Sequence, residues 1–418
     1  MRTQSTRTPE LLAPAGGLAQ LEAALRFGAD AVYLAADRFG LRQRAANFAL
    51  DDVPAATALV HDAGAKAYVT LNALMDADDL KALPAYLEAL AAAGVDAFIV
   101  SDLGALRLVQ RHAPNVELHV STQASVCNAE AARVWHELGA SRVVCAREMS
   151  VEDIARLRAG APRELELEAF VHGAMCMAVS GRCLISAALT GRSGNKGHCT
   201  QPCRWSYALV EEQRPGEFFP VEEDVRGTYV MNAQDLNMLA HLDDLAAAGI
   251  DSFKIEGRNK KAFYVASVVR AYRLALDGVP SSELADELLA VSHRPYGTGF
   301  YYGDARQSPD VDGYTAECRH AATVEACEPA GEGAFRVIAR CYNRFCEGDE
   351  LEALSPGPHI PLVRVRNLAW LPAPDGDDAQ PKRVPVAVAN RSAERYAFET
   401  GEELAPGDFL RMRINVER

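Results

Sequence analysis

The sequence predicts an α/β fold: a TIM-like (β/α) barrel with a cysteine-bearing loop inserted in it, followed by a small all-β, barrel-like C-terminal domain. Three observations carry this expectation. An alanine-rich helical stretch, a glycine and a short apolar strand recur along the first two thirds of the chain. That alternation lapses between Cys176 and Tyr229. Beyond SHRPYGTGFYYG (292–303), short runs of alternating polarity separated by turn residues take over.

The recurring unit opens on ELLAP (10–14) and continues as RFGADAVYLA (26–35), DAGAKAYVTLN (62–72), AAGVDAFIVSD (92–102) and ELGASRVVCAR (137–147), ending with AAGIDSFKIEG (247–257). VELHVST (116–122) and ELEAFVHG (166–173) supply two further strands. Each glycine stands where a helix C-cap is expected, and each strand is apolar on both faces, as a strand covered by helices must be. About eight such strands alternating with helices favour a barrel over a six-stranded open sheet. In the last quarter, FRVIARC (335–341), PLVRVRNLAW (361–370) and VPVAVAN (384–390) read as period-two strands. The expected organisation is a catalytic barrel over 1–303 with a cluster-binding loop at 174–230, a linker at 304–320 and a β domain at 321–418.

No signal-peptide pattern opens the chain, and no stretch reaches the roughly 18 apolar residues that a membrane span needs, so a soluble cytoplasmic protein with no membrane partner is expected. Disulfides are rare in such a compartment, which leaves burial, metal ligation or thiol chemistry for the ten cysteines. A net charge of −14 disfavours a nonspecific nucleic-acid coat. Local cationic stretches remain: KIEGRNKK (254–261), and Arg38, Arg42 and Arg44.

Barrel enzymes place their chemistry at the C-terminal strand ends. The polar residues there are Asn72, Asp102, His119, Gln123, Arg147, His172, Lys254, Glu256 and Arg258. Capping of the next helix is the competing role for Asn72, Asp102 and Ser121. Cys176, Cys183, Cys199 and Cys203 follow the seventh strand with spacing C-x6-C-x15-C-x3-C, in a stretch rich in Gly, Ser, Arg and Asn. Four thiolates can complete a tetrahedral zinc site or an iron-sulfur cluster, and the wide first gap favours the cluster. Ser206 stands where a radical-SAM motif would need a cysteine. A cysteine nucleophile beside His172 needs only one thiol, and neither H-E-x-x-H nor G-x-S-x-G occurs.

EAFVHGAMCMAVSGRCLIS (168–186) resembles the signature of the collagenase-like peptidase family, U32. With GNKGHCTQPCRWSY, DSFKIEGRNKKAFYVASVVRAYRLALD, SHRPYGTGFYYG and the N-terminal ELLAPAGGLAQLEAALRFGADAVYLA, it resembles the branch of prephenate-dependent tRNA uridine hydroxylases. The resemblance implies a four-iron four-sulfur cluster on Cys176, Cys183, Cys199 and Cys203. It also implies hydroxylation of carbon 5 of the wobble uridine to 5-hydroxyuridine, with prephenate as co-substrate and without molecular oxygen. tRNA is then the partner, and a sister subunit of the same family is left open. A collagenase-like peptidase, a hydroxylase of another RNA or of a quinone, and a noncatalytic protein with a structural cluster are the alternatives.

Within that frame the two carboxylates of prephenate call for Arg42, Arg44, Arg147 and Arg258. Gln123 and Lys254 join them as substrate-binding candidates. His172 is the expected proton carrier or donor behind the cluster ligands, with Arg147 and Glu256 as further catalytic candidates. Tyr33, Phe48 and Tyr296 offer rings for an extruded base, and the stretch from Lys254 to Lys261 offers charge for backbone phosphate.

Overall fold

The computed structural model describes residues 8–41, 46–175, 185–202, 205, 208–209, 219–220, 234–303, 305, 314–331, 333–373 and 382–414. Arg42, Arg44, Cys176, Cys183 and Cys203 lie outside the described residues. The chain forms two compact units, one of residues 1–25, 29–265 and 293–314, the other of residues 26–28, 266–292 and 315–418.

In the first unit eight parallel strands close into a barrel. Strands β1 (Glu10–Ala15), β2 (Ala31–Leu34), β3 (Lys66–Leu71), β4 (Ala97–Val100), β5 (Glu117–Val120), β6 (Arg142–Val144) and β7 (Glu166–Ala174) pair in chain order. After the short antiparallel pair β8 (Ala208–Leu209) and β9 (Phe219–Pro220) come β10 (Asp235–Asn237) and β11 (Ser252–Ile255). Strand β11 closes the ring by pairing in parallel with both β1 and β7. The eight stretches read from the sequence are the eight strands of this ring.

Helices α1 (Leu18–Arg26), α2 (Val53–Asp62), α3 (Ala77–Ala92), α4 (Leu103–His112), α5 (Ala129–Glu137) and α6 (Val151–Gly160) connect them. Asp102 caps α4 by accepting from the Ala105 N–H at 2.9 Å, and reciprocal capping boxes start α3 and α6. The recurring glycines 28, 64, 94, 139 and 249 all sit at φ between 74° and 98°, a left-handed conformation that ends the preceding helix at little steric cost.

Strand β7 runs on to Ala174 after its pairing with β6 ends at Glu168. Strand β10 lies antiparallel along that overrun, Asp235 opposite Ala174 and Asn237 opposite His172, and β12 (Tyr296–Gly297) pairs in parallel with β10. The stretch MNAQDL therefore leads into a strand outside the closed ring, laid on an edge that would otherwise be unpaired.

The second unit carries an antiparallel sheet. β13 (Cys318–Gly331), β14 (Ala334–Cys341), β16 (Glu350–Leu354), β17 (Leu362–Arg364), β18 (Arg366–Leu371), β19 (Val384–Pro385), β21 (Arg395–Thr400) and β22 (Phe409–Arg413) pair in the order β17-β16-β22-β13-β14-β21-β18-β19. Its core includes Val324, Val337, Leu351, Phe398 and Leu410. Arg411 is buried and makes a two-pronged ion pair with Glu287 at 2.8 and 2.9 Å. No helix among the described residues is long and apolar enough to cross a membrane.

Candidate functional site

Residues two apart on a strand face the same side, so the last inward-facing residues of the barrel strands meet above its core. They line a small cavity of about 40 Å³ that opens to solvent. Tyr33, Gln123, Arg147, Lys254, Glu256 and Arg258, all expected at the site, share this lining. The cavity is two-faced. Lys254, Glu256 and Arg258 come from β11 and the turn after it, while Thr70, Asn72, Ser121 and Gln123 come from the ends of β3 and β5, each three strands from β11 round the ring.

The charged wall is built on ion pairs. Lys254 Nζ lies 2.6 Å from Glu168 Oε1 and 4.5 Å from the Tyr33 ring centroid, and both partners of this ion pair are buried. The other oxygen of Glu168 accepts from Arg142 Nη1 at 3.2 Å, and Arg142 is held further by Glu10 at 2.6 Å and Glu166 at 2.7 Å. A chain of alternating charge thus runs through the barrel interior from the cavity to the opposite end of the strands. Arg147 lies 3.8 Å from the Phe170 ring centroid, 3.4 Å from Glu256 Oε2, and donates to the Ala174 carbonyl at 3.2 Å. It therefore ties the cavity to the strand end from which the cysteine-bearing segment departs. Arg258 is buried and donates to the Leu41 carbonyl.

The opposite wall is neutral. The Leu41 N–H donates to Asn72 Oδ1 at 3.2 Å, and Asn72 Nδ2 donates to Ser121 Oγ at 3.1 Å and to Gln123 Oε1 at 3.3 Å. The Ser121 hydroxyl donates to Gln123 Oε1 at 2.5 Å. Asn72 and Ser121 serve this wall and cap no helix with their side chains.

His172 lies elsewhere. The pairing of β7 with β11 shifts between Lys254 and Ile255, so that Lys254 pairs with Phe170 but Ile255 pairs with His172. This bulge removes His172 from the inward-facing set to which Phe170 belongs. The imidazole is buried, with the Tyr296 ring centroid at 5.4 Å and that of Tyr264 at 6.0 Å. Burial, with Lys260 and His293 adding repulsion, pulls its pKa down to about 3, so the ring is neutral at ordinary pH. Tyr296 stacks on His293 at 4.4 Å, and Tyr33 donates its hydroxyl to the Ile255 carbonyl at 2.9 Å.

Lys254 and Arg258 being buried, Asn259, Lys260 and Lys261 are what the basic stretch offers at the surface. Cys199 is a free thiol, half-buried, whose Sγ accepts the Gln201 N–H at 3.3 Å. No group of three metal-binding side chains forms among the described residues, which include Cys199 alone of the quartet. Thr70 and Phe170 were not singled out by the strand-end criterion. Each lies one period-two step deeper than a residue at or near the strand end, and that spacing is the signal that finds them.

The model of peptidase family U32 matches residues 16–310. The chain belongs to peptidase family U32. Among U32 relatives, the tRNA hydroxylation protein P1 of Bacillus subtilis is 34% identical over 416 residues, 97% of this chain and 95% of that protein. The tRNA hydroxylation protein P of Escherichia coli is 35% identical over 400 residues, 84% of this chain and 87% of that protein. The 23S rRNA 5-hydroxycytidine C2501 synthase of Escherichia coli is 38% identical over 277 residues, 66% of this chain and 40% of that protein.

Proposed function

We propose that this U32 member is a cytoplasmic tRNA hydroxylase that converts the wobble uridine to 5-hydroxyuridine, with prephenate as co-substrate and a four-iron four-sulfur cluster on Cys176, Cys183, Cys199 and Cys203. The observation that carries the reading is the two-faced cavity: Arg147, Lys254 and Arg258, with Glu256 among them, line one side, and the neutral side chains of Asn72, Ser121 and Gln123 line the other. A small dicarboxylate and an uncharged nucleobase have that complementary pair of chemistries. The relatives named for hydroxylating tRNA and for making 5-hydroxycytidine support the same reaction class.

Arg147 and Arg258 would orient the carboxylates of prephenate. The 3.4 Å contact of Arg147 with Glu256 is long for a charge-assisted bond, which suits a guanidinium that also engages a ligand. Tyr33, Ile99 and Phe170 add apolar surface to the lining, with the Lys254 ammonium over the Tyr33 ring and the Arg147 guanidinium over that of Phe170. Cys199 fits a cluster ligand, since it is free of any disulfide and accepts a backbone N–H, the kind of bond that tunes cluster thiolates. Bound, the cluster supplies electron-transfer chemistry. Lys261, exposed at the end of the basic stretch, would meet backbone phosphate.

A peptidase mechanism in this cavity has little to work with. Among the described residues the lining holds neither cysteine nor histidine, and the Ser121 hydroxyl donates to an amide rather than to a base. The test is mass spectrometry of tRNA nucleosides from a deletion strain and from the same strain complemented. Loss of 5-hydroxyuridine and its derivatives, restored by the gene, is expected. An unchanged nucleoside profile, with no second hydroxylase in the strain, would sink the proposal.

A further inference from the structure

We propose that Gln123 sets the choice of pyrimidine: its Nε2 is held as a donor toward the cavity and meets the C4 carbonyl of uracil, where cytosine carries an amino group. This rests on the reading of the cavity as a pyrimidine-hydroxylating site.

The polarity of the Gln123 amide follows from groups that cannot reverse. The backbone N–H of Leu41 can only donate, and it donates to the terminal atom of Asn72 that lies 3.2 Å away, which is therefore Oδ1. The other terminal atom of Asn72 is then the NH₂. It faces Ser121 Oγ at 3.1 Å and a Gln123 atom at 3.3 Å, so that Gln123 atom must be an acceptor. Ser121 accepts from Asn72 and spends its own proton on the same Gln123 oxygen at 2.5 Å. Turning the Gln123 amide over would set NH₂ against NH₂. Leu41 is held at its next peptide as well, where its carbonyl accepts from Arg258. One line of bonds thus runs from Arg258 through Leu41 and Asn72 to Gln123.

With two donors on Oε1, its acceptor capacity is used. Among the described residues Nε2 has no hydrogen-bond partner, and Gln123 lines the cavity. A donor waiting at a cavity wall selects an acceptor. Uracil presents an oxygen at C4, while cytosine presents a second donor. Two facing donors leave both unsatisfied, which corresponds to a preference for uridine of roughly tenfold or more.

The experiment uses full-length protein purified anaerobically, supplied with prephenate, and anticodon stem-loops with either U or C at the wobble position. Hydroxylated nucleoside from each is measured by mass spectrometry. Wild type should favour U by about tenfold or more. Gln123→Glu replaces the donor by a carboxylate oxygen, so the U-to-C ratio should fall at least about tenfold. Asn72→Asp leaves an acceptor for the Leu41 N–H but removes the NH₂; the Gln123 amide then turns over, exposes Oε1, and the ratio shifts the same way with Gln123 unchanged. A structural role alone would lower both rates together. If wild type hydroxylates U and the ratio holds in whichever variants fold, Gln123 does not set the choice, and the proposed activity stands. If wild type, with cluster and prephenate present, hydroxylates neither RNA, the functional reading fails and this inference with it.

Discussion

Replacing Glu168 by Gln isolates one link of the charge chain inside the barrel. Glu168 is fully buried and serves two cations, but they differ in what they have left without it. Arg142 keeps Glu10 at 2.6 Å and Glu166 at 2.7 Å. Lys254 has no second carboxylate among the described residues; its other neighbours are the faces of Tyr33 at 4.5 Å and Phe170 at 5.6 Å. Two rings over a desolvated ammonium offset roughly 2 kcal/mol or so. Removing one partner of a buried pair costs about 3–5 kcal/mol, because the other charge is left behind. Glu168→Gln should therefore lose a few kcal/mol of unfolding free energy at pH 7, measured by urea titration. Glu168→Leu combined with Lys254→Met should lie close to wild type, since a buried pair replaced by apolar groups of similar size is near neutral. A loss below about 1 kcal/mol at pH 7 would refute the reasoning.

Other outcomes can be stated briefly. His172 stays neutral in the fold down to about pH 3 but is protonated in the unfolded chain below about 6.5, so stability should fall as pH drops through that window, by up to about 5 kcal/mol. His172→Phe should flatten that acid limb in thermal melts, and an identical slope in both proteins would count against a buried neutral imidazole. In the second unit, Glu287→Gln takes the two-pronged partner from Arg411, which retains Glu352 at 2.7 Å; a loss toward the lower end of about 3–5 kcal/mol is expected, and a neutral result would show the pair to be dispensable. Asp102→Ala should cost about 1 kcal/mol through the α4 cap. Cys199→Ala, purified anaerobically, should lose the visible absorbance of an intact cluster; an unchanged spectrum would remove Cys199 from the ligand set.

The barrel was legible because five of its eight strands follow one physical event, a helix ended by a left-handed glycine before a short apolar strand. The site was legible in part for a related reason. Closure of the ring carries strand ends far apart in sequence to one mouth, so naming polar strand ends gathers Asn72, Gln123, Arg147, Glu256 and Arg258 without knowing their contacts. What a linear reading loses is direction. KIEGRNKK looks like a strip of surface charge, yet Lys254, Glu256 and Arg258 alternate toward the cavity, and Asn259 and Lys261 are its exposed residues. His172 is lost to the cavity by a bulge that no residue type in β7 announces. The partners of Lys254 and Asn72 are equally hidden, since Glu168 and Leu41 lie 86 and 31 positions away.

The antiparallel match of Asp235 with Ala174 acts as a clasp at the neck of everything between them. Once those backbones are joined, Ala174 and Asp235 are fixed ends for the chain between them. That chain is fastened a second time, where the Leu74 N–H donates to the Asn195 carbonyl at 2.8 Å and Lys196 pairs with Asp76. Loop-closure cost rises only slowly with added chain, so the length between these anchors can change while the ring beneath keeps its register.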